Sequence, residues 1–458
     1  MNQQNDIISA IDIGTTKIVA IIGKKETDGK FRILGIGKAP SKGVKRGNVL
    51  NIEETVNSIK LAVEIAEQKA QLKITDVYVG IAGQNIKCIR NSGYVNRPSY
   101  DQEITAEDVD MLKDDQYRIG LEPGEEIIHV LPQSYSVDGE NGVKPIGICG
   151  KRLEGNFHIV IGKTMNIKNL KRCVERAGLH LKSLVLEPLA SSFAVLTEDE
   201  KEAGVALIDI GGGTTDLAIY YEGTICHTAV VPFGGNVLTG DVKSAYNILE
   251  KHAEELKVQF GSALAESTGD DEIVTVPGVS GRSAKEISQK SLANVLQARM
   301  EEIIGAIEFQ IENSGYADRL GAGMVITGGG ALLKNLPQLV SFKTGHEIKI
   351  GFPIQYLTSD VKEDVNSPMY STSVGLMMIG EEEMRKSGKA SVVDVIEKEE
   401  VMVQANIKPD LFFEEEEKVE KPKKKEKKEK ESKIMFGKNK FFESLSTLFD
   451  DKDTKINE

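Results

Sequence analysis

Two short segments of the sequence combine an aspartate, glycines and threonines in the same order. The first covers residues 12–16 and the second residues 209–215. A turn rich in Gly and Thr offers backbone N–H groups and hydroxyls to phosphate oxygens, and glycine lets the backbone approach them closely. An aspartate at a strand end can hold a hydrated Mg²⁺ or orient an attacking water. One such segment is a weak signal, but two copies predict a phosphate-binding site that both of them build.

The elements that position these segments repeat as well. An apolar strand pattern at Ile7–Ile13 leads into the first turn, and apolar strand patterns follow the two turns at residues 17–22 and 216–221. Two strand–turn–strand units predict an internal duplication whose halves face each other across a cleft. The Walker A pattern of a P-loop is absent. Further along, Asn51 is a capping residue for a predicted helix that runs to about Gln71.

A third glycine run follows a short apolar strand pattern at Met324–Thr327. Gly328, Gly329 and Gly330 come directly after it. Glycines let a backbone approach the flat face of a nucleotide base, because no Cβ atom stands in the way. The alternative is a tight strand-to-helix turn without a ligand. Beside two phosphate turns, the run predicts the adenine side of a nucleotide site.

The composition is that of a globular protein with an acidic balance. The chain has 458 residues, 40% hydrophobic and 28% charged, with a formal net charge of −13. This length suggests two to four domains, and the acidic balance argues against nucleic acid as a main partner. The four cysteines lie far apart, so we expect neither a zinc ribbon nor a disulfide framework. A polar start and no apolar run near the ~18 residues of a membrane span favour a cytoplasmic protein.

The charge is unevenly distributed along the chain. Residues 411–458 hold 13 acidic and 13 basic residues, so the net charge of −13 belongs to residues 1–410. Residues 421–440 hold ten Lys and three Glu, and four consecutive Glu precede them at 414–417. A stretch with so few large apolar residues cannot bury enough surface to fold alone. We therefore predict a flexible charged linker over residues 386–433.

Residues 434–450 follow with the spacing of an amphipathic helix. Five apolar side chains recur at i, i+1, i+4, i+7 and i+8, so they share one helical face. They are Phe441, Phe442, Leu445, Leu448 and Phe449. So short a helix is marginal in water and needs a surface, which could be the folded chain, a partner groove or a membrane. The Lys-rich run favours an anionic membrane, at roughly 1 kcal/mol for each Lys held near its surface.

In these motifs the sequence resembles the actin-like ATPase superfamily, which includes actin, heat-shock chaperones, sugar kinases and bacterial MreB. Residues 12–16, 208–216 and 325–333 are similar to its two phosphate motifs and its adenosine motif. Residues 187–191 and 367–375 are similar to its two connecting segments. The resemblance implies an α/β fold of two lobes with duplicated mixed sheets, and ATP with Mg²⁺ in the cleft between them.

The resemblance also implies roles for individual residues. Asp12 and Asp209 would hold Mg²⁺ through water, and Glu187 would position the attacking water, although a Glu-Pro pair can also merely begin a helix. These three are the candidate catalytic residues. Glu254 and Lys257 would touch the ribose or base, although an ordinary i, i+3 ion pair has the same spacing. The candidate nucleotide-binding residues are Gly14, Thr15, Thr16, Lys17, Gly211, Gly212, Gly213, Thr214, Thr215, Glu254, Lys257, Gly328, Gly329 and Gly330.

Within the superfamily the sequence is similar to the FtsA family of bacterial cell-division proteins. Residues 129–135, 227–241 and 256–263 carry this likeness. The family implies a filament-forming peripheral protein that anchors FtsZ filaments to the inner face of the cytoplasmic membrane and helps assemble the division septum. It implies at most a slow ATPase, whose partners are the FtsZ C-terminal peptide, copies of itself, anionic lipids and other division proteins. The positions that match the FtsZ-peptide site are Arg299 and, more weakly, Arg282.

The family resemblance implies an order of domains. The first lobe would comprise residues 6–83, 163–202 and 360–385, with an FtsA-type inserted subdomain at 84–162. The second lobe would comprise residues 203–359, and the linker and the amphipathic helix would follow. Its outer subdomain would cover about residues 240–320. Two alternatives stay open: another actin-like scaffold of the MreB or PilM type, and a small-molecule kinase, for which a terminal membrane helix would have no use.

Overall fold

The computed structural model describes residues 7–142, 144–269, 271–278, 282–359, 365–387 and 393–395. The predicted amphipathic helix at 434–450, and the predicted linker after residue 395, lie outside these residues. None of the described helices is both long enough and apolar enough to cross a membrane.

Strands and helices are numbered along the described chain. The strands are β1 (Ile7–Ile13), β2 (Lys17–Lys25), β3 (Phe31–Pro40), β4 (Val44–Lys45), β5 (Asn48–Val49), β6 (Leu72–Ile74), β7 (Asp76–Ile81), β8 (Ile86–Asn96), β9 (Glu125–Val137), β10 (Glu140–Asn141), β11 (Arg152–Lys163), β12 (His180–Leu186), β13 (Val205–Ile210), β14 (Thr215–Tyr221), β15 (Thr224–Val231), β16 (Ile273–Val276), β17 (Lys285–Ser288), β18 (Met324–Thr327), β19 (Ile348–Ile350) and β20 (Val393–Val395). The helices are α1 (Ile52–Ala70), α2 (Ala106–Gln116), α3 (Thr164–Arg176), α4 (Glu187–Val195), α5 (Glu198–Ala203), α6 (Gly235–Tyr246), α7 (Glu250–Phe260), α8 (Gln289–Ser314), α9 (Leu336–Thr344) and α10 (Ser371–Ser387).

Two sheets of the same topology form the two halves of the fold. The first has the strand order β12-β7-β1-β2-β3 and the second the order β15-β14-β13-β18-β19. In each sheet an antiparallel hairpin, β1–β2 or β13–β14, continues into a third antiparallel strand. Two parallel strands complete the other side of the hairpin. The duplication predicted from the repeated turns is therefore confirmed at the level of sheet topology.

The central strands are buried, and a shared core underlies both hairpins. Every residue of β1 and of β13 is buried. Continuous apolar strands of this kind are typical of sheets that are covered on both faces. One hydrophobic cluster includes residues of β1, β2, β13 and β14 together with residues of α4 and α10. The turns of both hairpins are therefore supported by a single packed core.

Helix α1 shows how local sequence sets an element boundary. The Asn51 side chain accepts a hydrogen bond of 3.2 Å from the Glu54 N–H. This satisfies one of the free donors of the first turn. At the other end Gln71 takes a left-handed conformation, with φ of +57°, and its N–H donates to the Glu67 carbonyl. The helix predicted between Asn51 and Gln71 is confirmed.

Helices α4 and α10 connect the two halves and cross close to the hairpin turns. At the crossing, Gly375 of α10 lies so near the Ala190 carbonyl of α4 that a Cβ atom would overlap it. Glycine is therefore required at position 375 for this close approach. The crossing brings the N-terminal parts of both helices to the strand ends that carry the repeated aspartates and glycines.

A third sheet, with strand order β10-β9-β11-β8, forms the inserted subdomain. Helix α2 covers it, and Leu112 and Phe157 are fully buried in its core. The subdomain rests on the edge strand β15 of the second sheet, where the Gln133 Nε2 donates to the carbonyls of Ile225 (3.4 Å) and Cys226 (2.9 Å). The predicted limits of the lobes and of this subdomain stay predictions.

Candidate nucleotide site

The turns of hairpins β1–β2 and β13–β14 face each other across a narrow cavity of about 70 Å³. The cavity brings the three candidate catalytic residues together with most of the candidate nucleotide-binding residues. The predicted residues that line it are Asp12, Gly14, Thr15, Thr16, Lys17, Glu187, Asp209, Gly211, Gly212, Gly213, Thr214, Gly328 and Gly329. Further lining residues are Ile13, Gly47, Ala82, Asp216, Pro368, Met369 and Thr372.

Glycines allow the two turns to approach each other. A Cβ atom at Gly212 would overlap the Thr16 hydroxyl, and a Cβ atom at Gly213 would crowd the Thr15 side chain. The Thr15 hydroxyl also accepts a hydrogen bond of 3.3 Å from the Gly47 N–H. Backbone N–H groups and hydroxyls from both turns are therefore close enough to contact one polyanion.

Four carboxyl groups lie at the cavity, and burial governs their ionisation. Asp12, Asp209 and Asp216 are 6%, 7% and 4% exposed. Burial raises the pKa of Asp12 to about 6, with Lys17 opposing the rise and Asp209 adding to it. Burial also raises the pKa of Asp209, although the Ser191 hydroxyl opposes the change. The pKa values of Asp216 and Glu187 are raised well above the usual range, by burial and then by neighbouring carboxylates.

These carboxyl groups suit a hydrated divalent cation. Mg²⁺ prefers oxygen ligands and usually keeps several of its waters. Among the described residues, no three His, Cys, Asp or Glu side chains lie close enough to hold a metal ion directly. The buried Oδ1 of Asp216 accepts no hydrogen bond from the described part of the chain. The residues therefore fit an ion held through water by Asp12 and Asp209, with Asp216 as a further acceptor.

Hydroxyl groups from the connecting helices hold two of the aspartates. The Ser191 hydroxyl of α4 donates to Asp209 Oδ2 at 2.5 Å, and the Thr372 hydroxyl of α10 donates to the same oxygen at 3.2 Å. The Ser373 hydroxyl donates to Asp12 Oδ2 at 3.3 Å. The orientation of both carboxylates therefore depends on the crossing of α4 and α10.

Lys17 supplies the positive charge of the site. It is the only Lys or Arg among the described residues that line the cavity. Its Nζ lies 6.0 Å from the centre of the Tyr370 ring. A lysine ammonium is a compact charge that can approach phosphate oxygens from several directions. Lys17 is therefore placed where a phosphate group between the turns would meet it.

The third glycine run closes another side of the cavity. Gly328 has a φ of +83°, and a Cβ atom there would overlap the Asp209 carboxylate. Its N–H donates to the Pro368 carbonyl at 3.2 Å. At Gly329, by contrast, a Cβ atom would meet only the Met369 Cβ, at an ordinary 4.0 Å. Position 328 is therefore constrained by the fold, while position 329 borders open space.

Four of the predicted nucleotide-binding residues do not line the cavity, and two of them, Thr215 and Gly330, lie directly beside its turns. Thr215 is fully buried, and its hydroxyl donates to the Phe233 carbonyl at 2.9 Å. Gly330 packs against Ile210, which a Cβ atom would overlap. Both residues support the turns that do line the cavity.

Glu254 and Lys257 lie behind the second turn. The Lys257 Nζ donates to the Gly235 carbonyl at 3.0 Å and forms an ion pair of 2.7 Å with Glu254. The Gly235 N–H in turn donates to the Gly211 carbonyl at 2.9 Å. The pair is therefore linked to the glycine turn but does not line the cavity itself.

The two residues predicted to bind a partner peptide lie in different surroundings. The Arg299 guanidinium contacts both carboxylate oxygens of Asp241, at 2.5 and 3.1 Å, and also pairs with Glu302. Arg282 is exposed shortly before β17. The five residues of the predicted membrane-binding face lie outside the described residues.

Among the site residues that escaped the sequence analysis, three are neighbours of Asp209. Asp216 lies directly opposite Asp209 in the β13–β14 register, which hairpin pairing could have revealed. Ser191 and Thr372 reach Asp209 from helices that are distant in sequence, and the only available hint was their place in the connecting segments.

Two family models match the chain. The model described as cell division protein FtsA matches residues 206–375, and the model described as the SHS2 domain inserted in FtsA matches residues 83–161. The cell division protein FtsA of Pseudomonas aeruginosa is 39% identical over 379 residues, which cover 82% of this chain and 90% of the relative. That of Escherichia coli K12 is 35% identical over 394 residues, which cover 84% of this chain and 93% of the relative.

Solved structures share the fold at low sequence identity. The PilM-PilN type IV pilus biogenesis complex has a TM-score of 0.60 at 14% identity and covers 81% of this chain and 98% of that one. MreB5 of Spiroplasma citri bound to AMPPNP has a TM-score of 0.51 at 17% identity, with coverage of 84% and 98%. The predicted fold class, an actin-like fold of two lobes with an FtsA-type inserted subdomain, is confirmed.

Proposed function

The chain belongs to the FtsA family of cell division proteins, and from this premise we propose an ATP-binding, filament-forming protein that anchors FtsZ filaments at the membrane. It would act at the inner face of the cytoplasmic membrane and help assemble the division septum. The observation that carries the nucleotide part is the pair of opposed turns around Lys17 and four carboxyl groups. MreB5 of Spiroplasma citri, which shares this fold, was solved with AMPPNP, and this supports the placement of ATP.

Each side of the cavity would bind one part of MgATP. Lys17 and the N–H groups of both turns would contact the phosphates, and Gly328 and Gly329 would border the adenine. Asp12 and Asp209 would hold Mg²⁺ through water, and the ion would supply positive charge to the phosphates. Glu254 and Lys257 would reach the ribose only if the second turn moved with them.

Any hydrolysis should be slow. Burial and the neighbouring Asp12, Asp216 and Asp209 raise the pKa of Glu187 well above its usual range. A raised pKa favours the protonated form of a carboxyl group, which cannot accept a proton from water, so the surroundings of Glu187 oppose its action as a general base. Slow hydrolysis agrees with a protein in which ATP binding mainly changes the conformation.

Binding of ATP should require the cleft to open. The cavity of about 70 Å³ is far smaller than the ~300–1,000 Å³ usual for small-molecule sites. The turns would separate to admit the nucleotide and then close on it. If the closed form is also the one that assembles, ATP would favour filaments by shifting this equilibrium.

Substitutions at Gly329 test the nucleotide site directly. In Gly329→Leu the longer side chain should fill the adenine side and weaken ATP binding about a hundredfold or more in isothermal titration calorimetry. Gly329→Ala is the matched control, because its Cβ atom makes only an ordinary contact with Met369. Equal ATP affinity in the wild type and in a folded Gly329→Leu variant would refute the assignment.

For FtsZ, we propose that Arg299 helps bind an acidic C-terminal peptide. A guanidinium can clamp a carboxylate with two hydrogen bonds. Asp241 already occupies this fork, so the peptide would replace or extend an existing pair. In a fluorescence-anisotropy titration with the FtsZ C-terminal peptide, Arg299→Glu should weaken binding about tenfold. Arg118→Glu, on the inserted subdomain, is the control, and an equal loss in both variants would remove Arg299 from the site.

For the membrane, the proposal rests on the five apolar residues at 441–449 and the Lys-rich run before them. One copy of so short a helix should bind weakly, because folding and immobilisation oppose its partial insertion. A filament presents many copies at high effective concentration, so assembly should make the attachment firm.

Liposome pelleting of the full chain tests this attachment. Truncation after Lys433 should abolish pelleting with anionic liposomes while ATP binding survives. Phe442→Glu should have nearly the same effect, because it places a charge in the apolar face, whereas Ser444→Glu on the polar face should have little effect. If the truncated protein still pelleted, the membrane role would have to be assigned to another part of the chain.

A further inference from the structure

A second and larger cavity, of about 830 Å³, lies between the inserted subdomain and the half of the fold built on β13–β15. We call it the interface groove. In the described part of the chain, it shares no lining residue with the nucleotide cavity. The residues used in the argument are Arg90 and Lys144 of the inserted subdomain and Tyr221, Glu222, Tyr316 and Arg319 of the other wall.

Arginines and tyrosines are stacked together in this groove. The guanidinium carbons of Arg90 and Arg319 lie 5.9 and 5.4 Å from the centre of the Tyr316 ring. Arg319 also lies 5.2 Å from the centre of the Tyr221 ring. Cation–π attraction at these distances favours positions of the guanidinium groups beside the rings. Two positive groups are therefore held around one aromatic side chain.

These positive charges lack carboxylate partners in the described part of the chain. The Arg90 guanidinium donates a hydrogen bond of 3.1 Å to the Ser314 carbonyl. Among the described residues, no Asp or Glu lies within ion-pair distance of Arg90, Lys144 or Arg319. Among the described residues that line the groove, Glu222 is the only acidic one. In a chain with a net charge of −13, this is a locally positive surface.

We propose that the interface groove binds an acidic peptide segment of a partner protein. Like charges held close together repel each other, and carboxylates placed between them would relieve that repulsion. The guanidinium fork matches the planar carboxylate, and the tyrosine rings offer flat surfaces to an apolar side chain. A bound peptide would touch both walls and so would stabilise one arrangement of the inserted subdomain against the second sheet. This role goes beyond the nucleotide, FtsZ and membrane sites proposed above.

The test uses the full chain and a defined probe. The probe is a fluorescein-labelled Glu-Glu-Phe-Glu-Glu peptide, and the matched control peptide carries Gln in place of each Glu. In fluorescence anisotropy at physiological salt, the acidic probe should bind in a saturable manner, and the Gln peptide about tenfold more weakly or worse. Inorganic phosphate at the concentration of the peptide should not displace the probe.

Substitutions at residues that line the groove test whether the probe binds there. Arg319→Glu should weaken probe binding about tenfold or more, and Arg319→Lys by less, because it keeps the charge but loses the fork. Lys144→Glu tests the opposite wall if Arg319→Glu fails to fold. Arg118→Glu makes the same charge change at an exposed site outside the groove, so its affinity should stay within about twofold of the wild type.

Three results would overturn the proposal: no binding by the wild type, equal losses in Arg118→Glu and Arg319→Glu, or displacement by phosphate as readily as by unlabelled peptide. Gly329→Leu should bind the probe normally. A failure of the nucleotide proposal is thereby distinguished from a failure of this one.

Discussion

The two hairpins that face each other across the nucleotide cavity share a backbone but not a charge pattern. In β1–β2, Asp12 pairs with Val19, and Lys17 begins the return strand. In β13–β14, Asp209 pairs directly with Asp216. The first turn is therefore balanced by its own cation, whereas the second places two carboxyl groups side by side.

This difference indicates how the two halves of a duplicated fold can have separate roles at one site. Sheet order and strand register are the same in both halves, so the turns reach the same place from opposite sides. The two halves differ in one or two residues at the start of the second strand of each hairpin, β2 and β14. We infer that the first hairpin mainly binds phosphate, through Lys17, and that the second mainly binds the hydrated cation, through Asp209 and Asp216.

The largest expected effect is on stability and comes from removing the charge of Asp12. Its pKa is raised from the ordinary 3.8 to about 6, so the folded protein binds this proton more tightly than the unfolded chain does. The stability that the proton provides is complete below about pH 4 and is lost as the pH rises through about 6. At pH 7.5, Asp12→Asn should therefore unfold with a free energy larger by at most about 3 kcal/mol.

Urea denaturation of the nucleotide-free protein at several pH values measures this effect. The advantage of Asp12→Asn should be nearly constant above about pH 6 and should shrink as the pH falls from about 6 towards 4. Asp216→Asn should also gain stability, because burial and Asp209 raise the pKa of Asp216 and the second hairpin has no lysine of its own to oppose the rise. A gain that did not vary with pH would mean that packing, and not ionisation, distinguishes the variants.

The next effect concerns ATP affinity, which tests whether the two hairpins have different roles. Lys17→Ala removes the one cation among the described lining residues, so ATP should bind about tenfold to a hundredfold more weakly, with or without Mg²⁺. Asp216→Asn should instead weaken binding of ATP with Mg²⁺ and leave binding of ATP without Mg²⁺ nearly unchanged, because it removes an acceptor for the hydrated cation. Calorimetry with and without EDTA separates the two, and parallel losses in both variants would contradict the division of roles.

The sequence predicted the parts of this site that depend on neighbouring residues. An apolar run that leads through an aspartate into a glycine turn indicates the end of a strand. This pattern occurs at Asp12 and at Asp209, and it predicted the turn residues that line the cavity. Thr215 does not line the cavity, because it begins β14 and its hydroxyl donates to the Phe233 carbonyl, and a run of two threonines does not reveal which one begins the strand.

Contacts between distant segments could not be predicted in this way. The hydroxyls of Ser191 and Thr372 meet at Asp209 only because α4 and α10 cross there, and that crossing depends on tertiary packing. From the sequence, Arg299 is expected to be a solvated positive charge on a helix. In the structure its guanidinium donates a hydrogen bond to Asp241, which is 58 residues away. The role of Asp216 depends on strand register. Register is harder to predict than a local turn and easier than a contact between distant segments.

The smallest expected effects come from the hydroxyls that hold the two aspartates. Ser191→Ala removes a buried hydrogen bond of 2.5 Å to Asp209, and Ser373→Ala removes one of 3.3 Å to Asp12. A hydrogen bond of this kind contributes about 0.5–1.5 kcal/mol, so each variant should lose stability within that range and Ser191→Ala should lose more. Asp209 keeps the Thr372 hydroxyl at 3.2 Å after Ser191→Ala, which limits the loss. The double variant Ser191→Ala/Thr372→Ala should therefore lose more than the sum of the two single variants, because only then is a buried carboxylate left without a hydroxyl donor. Urea denaturation of the four proteins gives the coupling energy, and strict additivity would show that the hydroxyls act on Asp209 independently.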